Sequence, residues 1–201
     1  MALSDDLEAC VASGGVAVFP ADTVYGLACD PESAEAVARL YALKGRAPDK
    51  PAAVMFFSLD AATRVLAGLG QRTAAAARAL LPGPLTLLVP NPSRRYPLAG
   101  GGDVLGLRVP ALPVLADVRV PVLQTSANLA GGPEAQRLEE VPAAIRSGAD
   151  LVIDGGELPG VASTVLDLVG YESSGTWSVV RAGAVSEAAA GAVLGSSSIS
   201  G

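Results

Sequence analysis

Short apolar runs, each ended by Gly, Pro or a polar cluster, recur along the whole chain and largely decide which folds it can adopt. Examples are Val16 to Phe19, AAVMFFS at 52–58 and LTLLVP at 85–90. Runs of this length are typical of buried strands, whereas the spacing of Val37, Leu40 and Tyr41 is typical of one face of a helix. Alternating strands and helices predict an α/β fold whose sheet is buried on at least one face.

The local signals predict the individual elements. Ser4 is expected to cap a first helix that ends at Gly14-Gly15, and Asp30-Pro31 is expected to start a second. Further helices are predicted over roughly 59 to 81 (two of them), in ALPVLADV, in VPAAIRSG and in the last Ala-rich segment. PADTVYGL is interpreted as a hydroxyl-rich loop, and the remaining strands are expected in VLGLRVP, VPVLQTSAN, DLVIDGG, STVLDLV and WSVVRAG.

The chain length of 201 residues suits one domain. We expect that domain to cover 1–195, with a disordered tail at 196–201. The segment from Asn91 to Asp103 contains three consecutive glycines, which predicts a mobile loop. The first residues lack the basic and apolar regions of a secretory signal, and no apolar run is long enough to span a bilayer. A cytoplasmic protein without membrane contact is therefore expected.

The absence of histidine excludes several classes of site at once. It removes His-based triads, Cys–His pairs and nearly every zinc site. Cys10 and Cys29 stand alone and are expected to be buried thiols, so no protein metal site is predicted. The net charge of −6 disfavours a dedicated nucleic-acid-binding protein, although it allows a local basic cleft.

The two lysines of the chain, Lys44 and Lys50, lie on either side of Arg46 in LKGRAPDKP. Such a cluster can bind phosphate, with Arg46 as a bidentate donor and the lysines beside it. It can equally be a solvated basic surface loop, and charge alone does not separate these two interpretations.

Polar residues also follow the predicted strands, where α/β folds build ligand sites. Ser126 and Asn128 lie after one strand, where turn formation would explain them equally well. Arg108, inside an apolar strand, must meet either an acid or an anionic ligand, and Arg181 poses the same choice. Ser163 stands at a strand start and could simply pair with the backbone. Neither GxxxxGK[ST] nor GxGxxG is present, so a nucleotide would have to bind by another route.

Taken together, the motifs resemble the YrdC/TsaC family of threonylcarbamoyl-adenylate synthases over roughly residues 4 to 190. The family signature, Lys-x-Arg followed by Ser-x-Asn, corresponds to Lys44-Gly45-Arg46 and Ser126-Ala127-Asn128. The matching blocks, in family order, are FPADTVYGLACD, LKGRAPDKP, PGPLTLLVP, LGLRVP, TSANLAGG, IDGG, STVLDL and VVRAGAVS.

The resemblance implies a twisted mixed sheet with flanking helices around a concave basic cleft. It implies an enzyme that makes threonylcarbamoyl-AMP and pyrophosphate from L-threonine, bicarbonate and ATP with magnesium, for tRNA modification. The implied catalytic residues are Lys44 and Arg46. The implied threonine-binding residues are Thr23, Arg108, Ser126 and Ser163, and the implied ATP-binding residues are Arg46, Lys50, Asn128 and Arg181.

Two positions depart from the family pattern. Ala21 replaces a hydroxyl residue, and Met55 stands where some members have His, so the threonine pocket is expected to differ. The chain matches the short form of the family, without a second domain. The implied partners are downstream tRNA threonylcarbamoyl-transferase proteins and, through a weak contact, RNA. Alternative interpretations are a non-catalytic RNA-binding protein and a carbamoyl-transfer enzyme.

Overall fold

The computed structural model describes residues 3–47, 50–100 and 102–195. Within these residues, nine strands form one sheet in the order β7-β1-β2-β6-β3-β5-β4-β8-β9. The pairs β1/β7, β3/β5 and β4/β8 are parallel, and the other neighbours are antiparallel, so the predicted mixed α/β sheet is confirmed. The strands are Ala17–Pro20 (β1), Tyr25–Cys29 (β2), Ala53–Met55 (β3), Leu85–Pro90 (β4), Val104–Arg108 (β5), Val122–Ser126 (β6), Leu151–Val152 (β7), Thr164–Asp167 (β8) and Ser178–Arg181 (β9).

Helices cover the sheet on both faces. They are Leu3–Ala12 (α1), Ala34–Lys44 (α2), Thr63–Leu66 (α3), Gln71–Leu80 (α4), Ala143–Gly148 (α5), Tyr171–Ser174 (α6) and Glu187–Leu194 (α7). Short 3-10 turns lie at Pro97–Ala99, Pro113–Leu115 and Leu138–Glu140. No helix among the described residues is long and apolar enough to cross a membrane. The tail predicted at 196–201 lies outside the described residues.

Successive strand residues enter two separate apolar cores, because side chains alternate across a sheet. In β3, Val54 packs into a large core on one face and Met55 into a small core on the other. The small core comprises Leu7, Val11, Ala17, Phe19, Ala21, Ala28, Met55, Phe57, Leu115, Val118, Val122 and Ile153. Burial on both faces explains why these strands appear in the sequence as continuous apolar runs.

Four local predictions were wrong. PADTVYGL is not all loop, because β2 begins at Tyr25 and pairs with both β1 and β6. Ser4 lies within α1 and does not cap it. Ser33, not Asp30, caps α2: its Oγ accepts a hydrogen bond from the Ala36 N–H at 3.3 Å. The predicted helix ALPVLADV contains only a 3-10 turn at Pro113–Leu115, since Pro113 cannot donate a backbone hydrogen bond to a helical turn before it.

The end of α2 points its last residues toward the middle of the sheet. Gly45 adopts a left-handed conformation (φ 62°) and donates its N–H to the Ala42 carbonyl at 3.1 Å. This conformation ends the helix with Lys44 in its last turn and directs Arg46 away from the helix axis. A side chain at position 45 would strain this turn.

Hydrogen bonds of one side chain, Asn91, hold the segment after β4 in place. Asn91 donates to the carbonyls of Arg95 (2.9 Å) and Gly102 (3.3 Å), and its Oδ1 accepts from the Arg95 N–H (3.0 Å). Both cysteines are free. Cys29 is buried as predicted, and its burial raises the thiol pKa to about 12, but Cys10 is only partly buried.

Candidate active site

A cavity of about 170 Å³ opens on the face of the sheet that carries the small core. On this face of β6 the side chains change along the strand from apolar Val122 to polar Gln124 and Ser126. Thr86 of β4 and Arg108 of β5 also line the cavity. Polar side chains thus replace apolar ones at alternate positions, and the strands place them side by side.

The structure brings most of the predicted site residues together. Six of them line the cavity: Thr23, Arg46, Arg108, Ser126, Ser163 and Arg181. Lys44 and Asn128 lie behind the wall, where both contact Ser126. Lys50 is exposed and does not line this cavity in the described part of the chain, although Pro51 beside it does.

Lys44 connects the end of α2 to the end of β6. Its side chain is buried, and Nζ donates to the Ser126 carbonyl (2.6 Å) and Oγ (3.2 Å) and to the Asn128 carbonyl (2.9 Å) and Oδ1 (2.6 Å). Ser126 Oγ also donates to Asn128 Oδ1 at 2.7 Å, and Asn128 Nδ2 donates to the Gly132 carbonyl. These bonds occupy every ammonium hydrogen, so Lys44 holds the shape of the Ser-x-Asn segment.

The environment of Lys44 disfavours its charged form. Its pKa is lowered from 10.5 to about 8, chiefly by burial and then by the nearby Arg46, while Glu134 acts in the opposite direction. The group is therefore charged at neutral pH and loses its proton near pH 8 in the folded chain.

This pKa predicts how the stability of the folded chain responds to pH. Between pH 8 and 10.5 the unfolded chain keeps the Lys44 proton that the folded chain has lost, so the free energy of unfolding should rise with pH. In Lys44→Met this contribution disappears. Urea unfolding gives the free energy of unfolding of the unmodified chain and of Lys44→Met at each pH in this interval. The difference between the two proteins, followed against pH, measures the contribution of Lys44. A difference that stays constant with pH contradicts the lowered pKa.

The sequence left open whether Arg108 pairs with an acid or with an anionic ligand. In the structure it pairs with an acid. Its Nη2 donates to Asp22 Oδ1 at 2.6 Å, and its Nη1 donates to Gln124 Oε1 at 2.9 Å. Both charged side chains are only 5% exposed. Burial raises the pKa of Asp22, and the Arg108 guanidinium opposes that rise. These two hydrogen bonds hold the guanidinium in place, and Arg108 still forms part of the cavity wall.

Arg181 and Ser163 form a second fixed pair across β8 and β9. Arg181 Nη2 donates to the Ser163 carbonyl at 2.8 Å and to Ser163 Oγ at 3.1 Å. Ser163 Oγ also lies 3.0 Å from Thr86 Oγ1. Arg181 itself is exposed, so it keeps access to a ligand in the cavity.

Several buried polar atoms of the wall have no hydrogen-bond partner within the described part of the chain: Thr23 Oγ1, Arg46 Nε and Arg108 Nε. An unpaired buried donor costs about 1–3 kcal/mol, so such atoms mark places where a ligand or water can bind. The same wall carries three arginines, Arg46, Arg108 and Arg181, against one carboxylate, Glu134. The cavity is therefore suited to an anionic ligand.

Sequence reasoning missed four polar residues of this site: Asp22, Thr86, Gln124 and Glu134. Gln124 and Thr86 interrupt apolar strands, and that interruption was the available signal. The two departures from the family pattern, Ala21 and Met55, are fully buried in the small core and are not among the residues that line the cavity.

The described residues contain no group of three or more His, Cys, Asp or Glu side chains that could hold a metal ion. Glu134 is the only carboxylate on the described cavity wall. Because Mg²⁺ usually binds through one or two carboxylates together with substrate phosphates, this wall could take the ion only with a phosphate ligand.

Comparison with known proteins identifies the family of the chain. The model of the Sua5/YciO/YrdC family, described as "Telomere recombination", matches residues 9–183. The chain belongs to this family. It is 38% identical over 168 residues to a threonylcarbamoyl-AMP synthase of Xanthomonas campestris pv. campestris (strain B100), covering 78% of this chain and 89% of that protein.

Solved structures of this family agree with the fold. Pyrococcus abyssi Sua5 complexed with L-threonine superimposes with a TM-score of 0.80 at 28% identity, over 94% of this chain. The match spans only 56% of that Sua5 chain. YciO of Escherichia coli gives a TM-score of 0.76 at 26% identity and matches 92% of this chain and 90% of its own.

Proposed function

We propose that this chain is a threonylcarbamoyl-AMP synthase, a nucleotidyltransferase-type enzyme. It combines L-threonine, bicarbonate-derived CO₂ and ATP into threonylcarbamoyl-AMP and releases pyrophosphate. The observation that carries the proposal is that Arg46 and Ser126 line one cavity while Lys44 and Asn128 hold Ser126 from behind its wall, in a chain 38% identical to a synthase of that name.

Threonine binds within the cavity against Arg108, Thr23, Ser126 and Ser163. The Arg108 guanidinium, held by Asp22 and Gln124, receives the threonine carboxylate. The volume of about 170 Å³ is below the roughly 300–1,000 Å³ of pockets for drug-sized ligands, which suits an amino acid. The structure of P. abyssi Sua5 complexed with L-threonine supports L-threonine as a ligand of this fold.

ATP binds with its phosphates toward Arg46, Lys50 and Arg181, and Asn128 provides a further contact. The threonine ammonium loses a proton to solvent, and the resulting amine attacks CO₂ to form a carbamate with release of a second proton. A carbamate oxygen then attacks the α-phosphorus as pyrophosphate leaves. Negative charge accumulates on the phosphate oxygens during this step, and fixed guanidinium groups stabilise it. Lys44 supplies further positive charge and holds the loop that carries Ser126 and Asn128.

Magnesium enters as the ion bound to ATP. When bound with ATP the ion would neutralise phosphate charge, and the described wall offers it one carboxylate, Glu134. The product supplies the threonylcarbamoyl group for tRNA modification, so the partners are downstream transferase proteins. A weak contact with RNA would use the exposed arginines near the cavity.

The direct test is a labelling assay with purified protein, ATP, magnesium, L-threonine and ¹⁴C-bicarbonate. We expect label in a nucleotide adduct only when all four substrates and ions are present. Arg46→Ala serves as the matched negative control. A protein that binds ATP and L-threonine but forms no labelled adduct in any condition would contradict the proposed reaction.

A further inference from the structure

Glu134 is the single carboxylate on the wall of the cavity within the described residues. It follows Pro133 in the segment after β6 and is partly buried. No hydrogen bond or ion pair to its carboxylate is present among the described residues, whereas the other acid of the site, Asp22, is paired with Arg108. The Glu134 oxygens are not among the fully buried atoms without a partner, so the carboxylate is open to a ligand or to water in the cavity.

The position of Glu134 relative to the cations is indicated by its electrostatic effect. The pKa of Lys44 is lowered chiefly by burial and then by Arg46, and Glu134 opposes this shift. The pKa of Arg108 is also lowered chiefly by burial, with Asp22 the main opposing charge and Glu134 a smaller one. Glu134 therefore lies within interaction range of both the Lys44 and the Arg108 ends of the cavity.

A carboxylate is poorly suited to a cavity that receives only phosphates. Two like charges about 4 Å apart repel by about 1 kcal/mol in water and by about 4 kcal/mol near a protein surface. Glu134 is therefore expected to face a positive group of the bound state. Two positive groups enter with the substrates of the proposed function, namely magnesium and the threonine ammonium.

The observations favour the ammonium. Magnesium usually binds through one or two carboxylates together with substrate phosphates, so Glu134 could hold it only while ATP is bound. An amino acid, in contrast, presents one negative and one positive group on adjacent atoms. The cavity offers a matching pair, Arg108 for the carboxylate and Glu134 for the ammonium.

We infer that Glu134 binds the α-ammonium group of the amino-acid substrate and so positions the nitrogen that forms the new bond. This inference rests on the proposed function, since it concerns the orientation of threonine in that same site. Glu134 then acts as a specificity residue that selects amino acids over hydroxy acids lacking the amine.

The test is calorimetric binding to the whole chain, without ATP or magnesium, of two probes: L-threonine and (R)-3-hydroxybutanoate, which lacks the amine. Glu134→Gln keeps the size of the side chain and removes its charge. We expect this variant to bind L-threonine at least about 10-fold more weakly, since a charge-assisted hydrogen bond is lost. Its affinity for (R)-3-hydroxybutanoate should stay within about twofold of the unmodified chain.

Glu139→Gln is the matched control, because Glu139 is exposed, lies five residues away and does not line the cavity. It should bind both probes like the unmodified chain. Equal L-threonine affinity in Glu134→Gln and the unmodified chain overturns the inference and leaves the proposed function intact. An unmodified chain that binds no L-threonine would instead overturn the proposed function itself.

Discussion

Replacing Arg46 by Ala is expected to lower kcat/KM for threonylcarbamoyl-AMP formation by about 10²- to 10³-fold, the usual cost of removing one donor that stabilises developing charge. Arg46 lines the cavity, and its Nη2 donates to the Pro51 carbonyl. Its guanidinium carbon lies 5.9 Å from the centre of the Tyr41 ring, and its buried Nε has no partner among the described residues. The Arg46 guanidinium is therefore held in place and keeps N–H donors that can bind a ligand in the cavity.

Initial-rate kinetics with ATP and L-threonine varied separately measure the effect. Arg46→Lys should recover only part of the activity, because an ammonium keeps the charge but not the planar fork. Arg119→Ala, which removes an exposed arginine away from the cavity wall, should remain close to the unmodified chain. If Arg46→Ala turns over within about threefold of the unmodified chain, Arg46 does not stabilise the transition state.

Replacing Asp22 by Ala is expected to lower the free energy of unfolding by about 3–5 kcal/mol. Asp22 is the ion-pair partner of Arg108 at 2.6 Å, and both side chains are 5% exposed. Without Asp22 the guanidinium keeps only the neutral Gln124 Oε1 as an acceptor among the described residues and remains buried with an uncompensated charge. Equilibrium urea unfolding measures the loss.

Asp103→Ala provides the control for this change. Asp103 pairs with Arg94 at the surface, where the two side chains are 80% and 71% exposed, so the loss should be below about 1 kcal/mol. The double change Asp22→Ala with Arg108→Met should cost less than the sum of the single changes, because it leaves no unpaired charge. Equal losses for Asp22→Ala and Asp103→Ala would show that the buried pair contributes no more than an exposed one.

The sequence allowed most site residues to be named, but it did not predict which of them contact one another. Thr23, Arg46, Arg108 and Ser163 were assigned through the resemblance of their motifs to the family, and the fold places all four on one cavity wall. Glu134 carried no such signal, because a glutamate in a Gly- and Pro-rich segment resembles any solvated loop residue.

The elements that were mistaken show where local patterns fail. PADTVYGL looked like a loop because its hydroxyls and Gly26 are typical of turns, yet Tyr25–Cys29 is a strand near the middle of the sheet. Gly26 fits there because Gln124 and Phe19 approach its backbone closely, so a Cβ would lie 2.9 Å from Gln124 Nε2. Pairing with β1 and β6, and not the propensity of the segment, makes it a strand.

The sequence by itself determined the α/β class, because the apolar runs and helical stripes that specify strands and helices are local patterns. It also allowed the candidate residues to be named, because the motifs that contain them follow one another in the same order as in the family they resemble. Only the tertiary structure decided that Lys44 holds Ser126 and Asn128 and that Arg108 pairs with Asp22, contacts that join residues 82 or more positions apart. Whether a buried charge meets a protein partner or a ligand depends on which distant strand the sheet places beside it, and no local pattern contains that information.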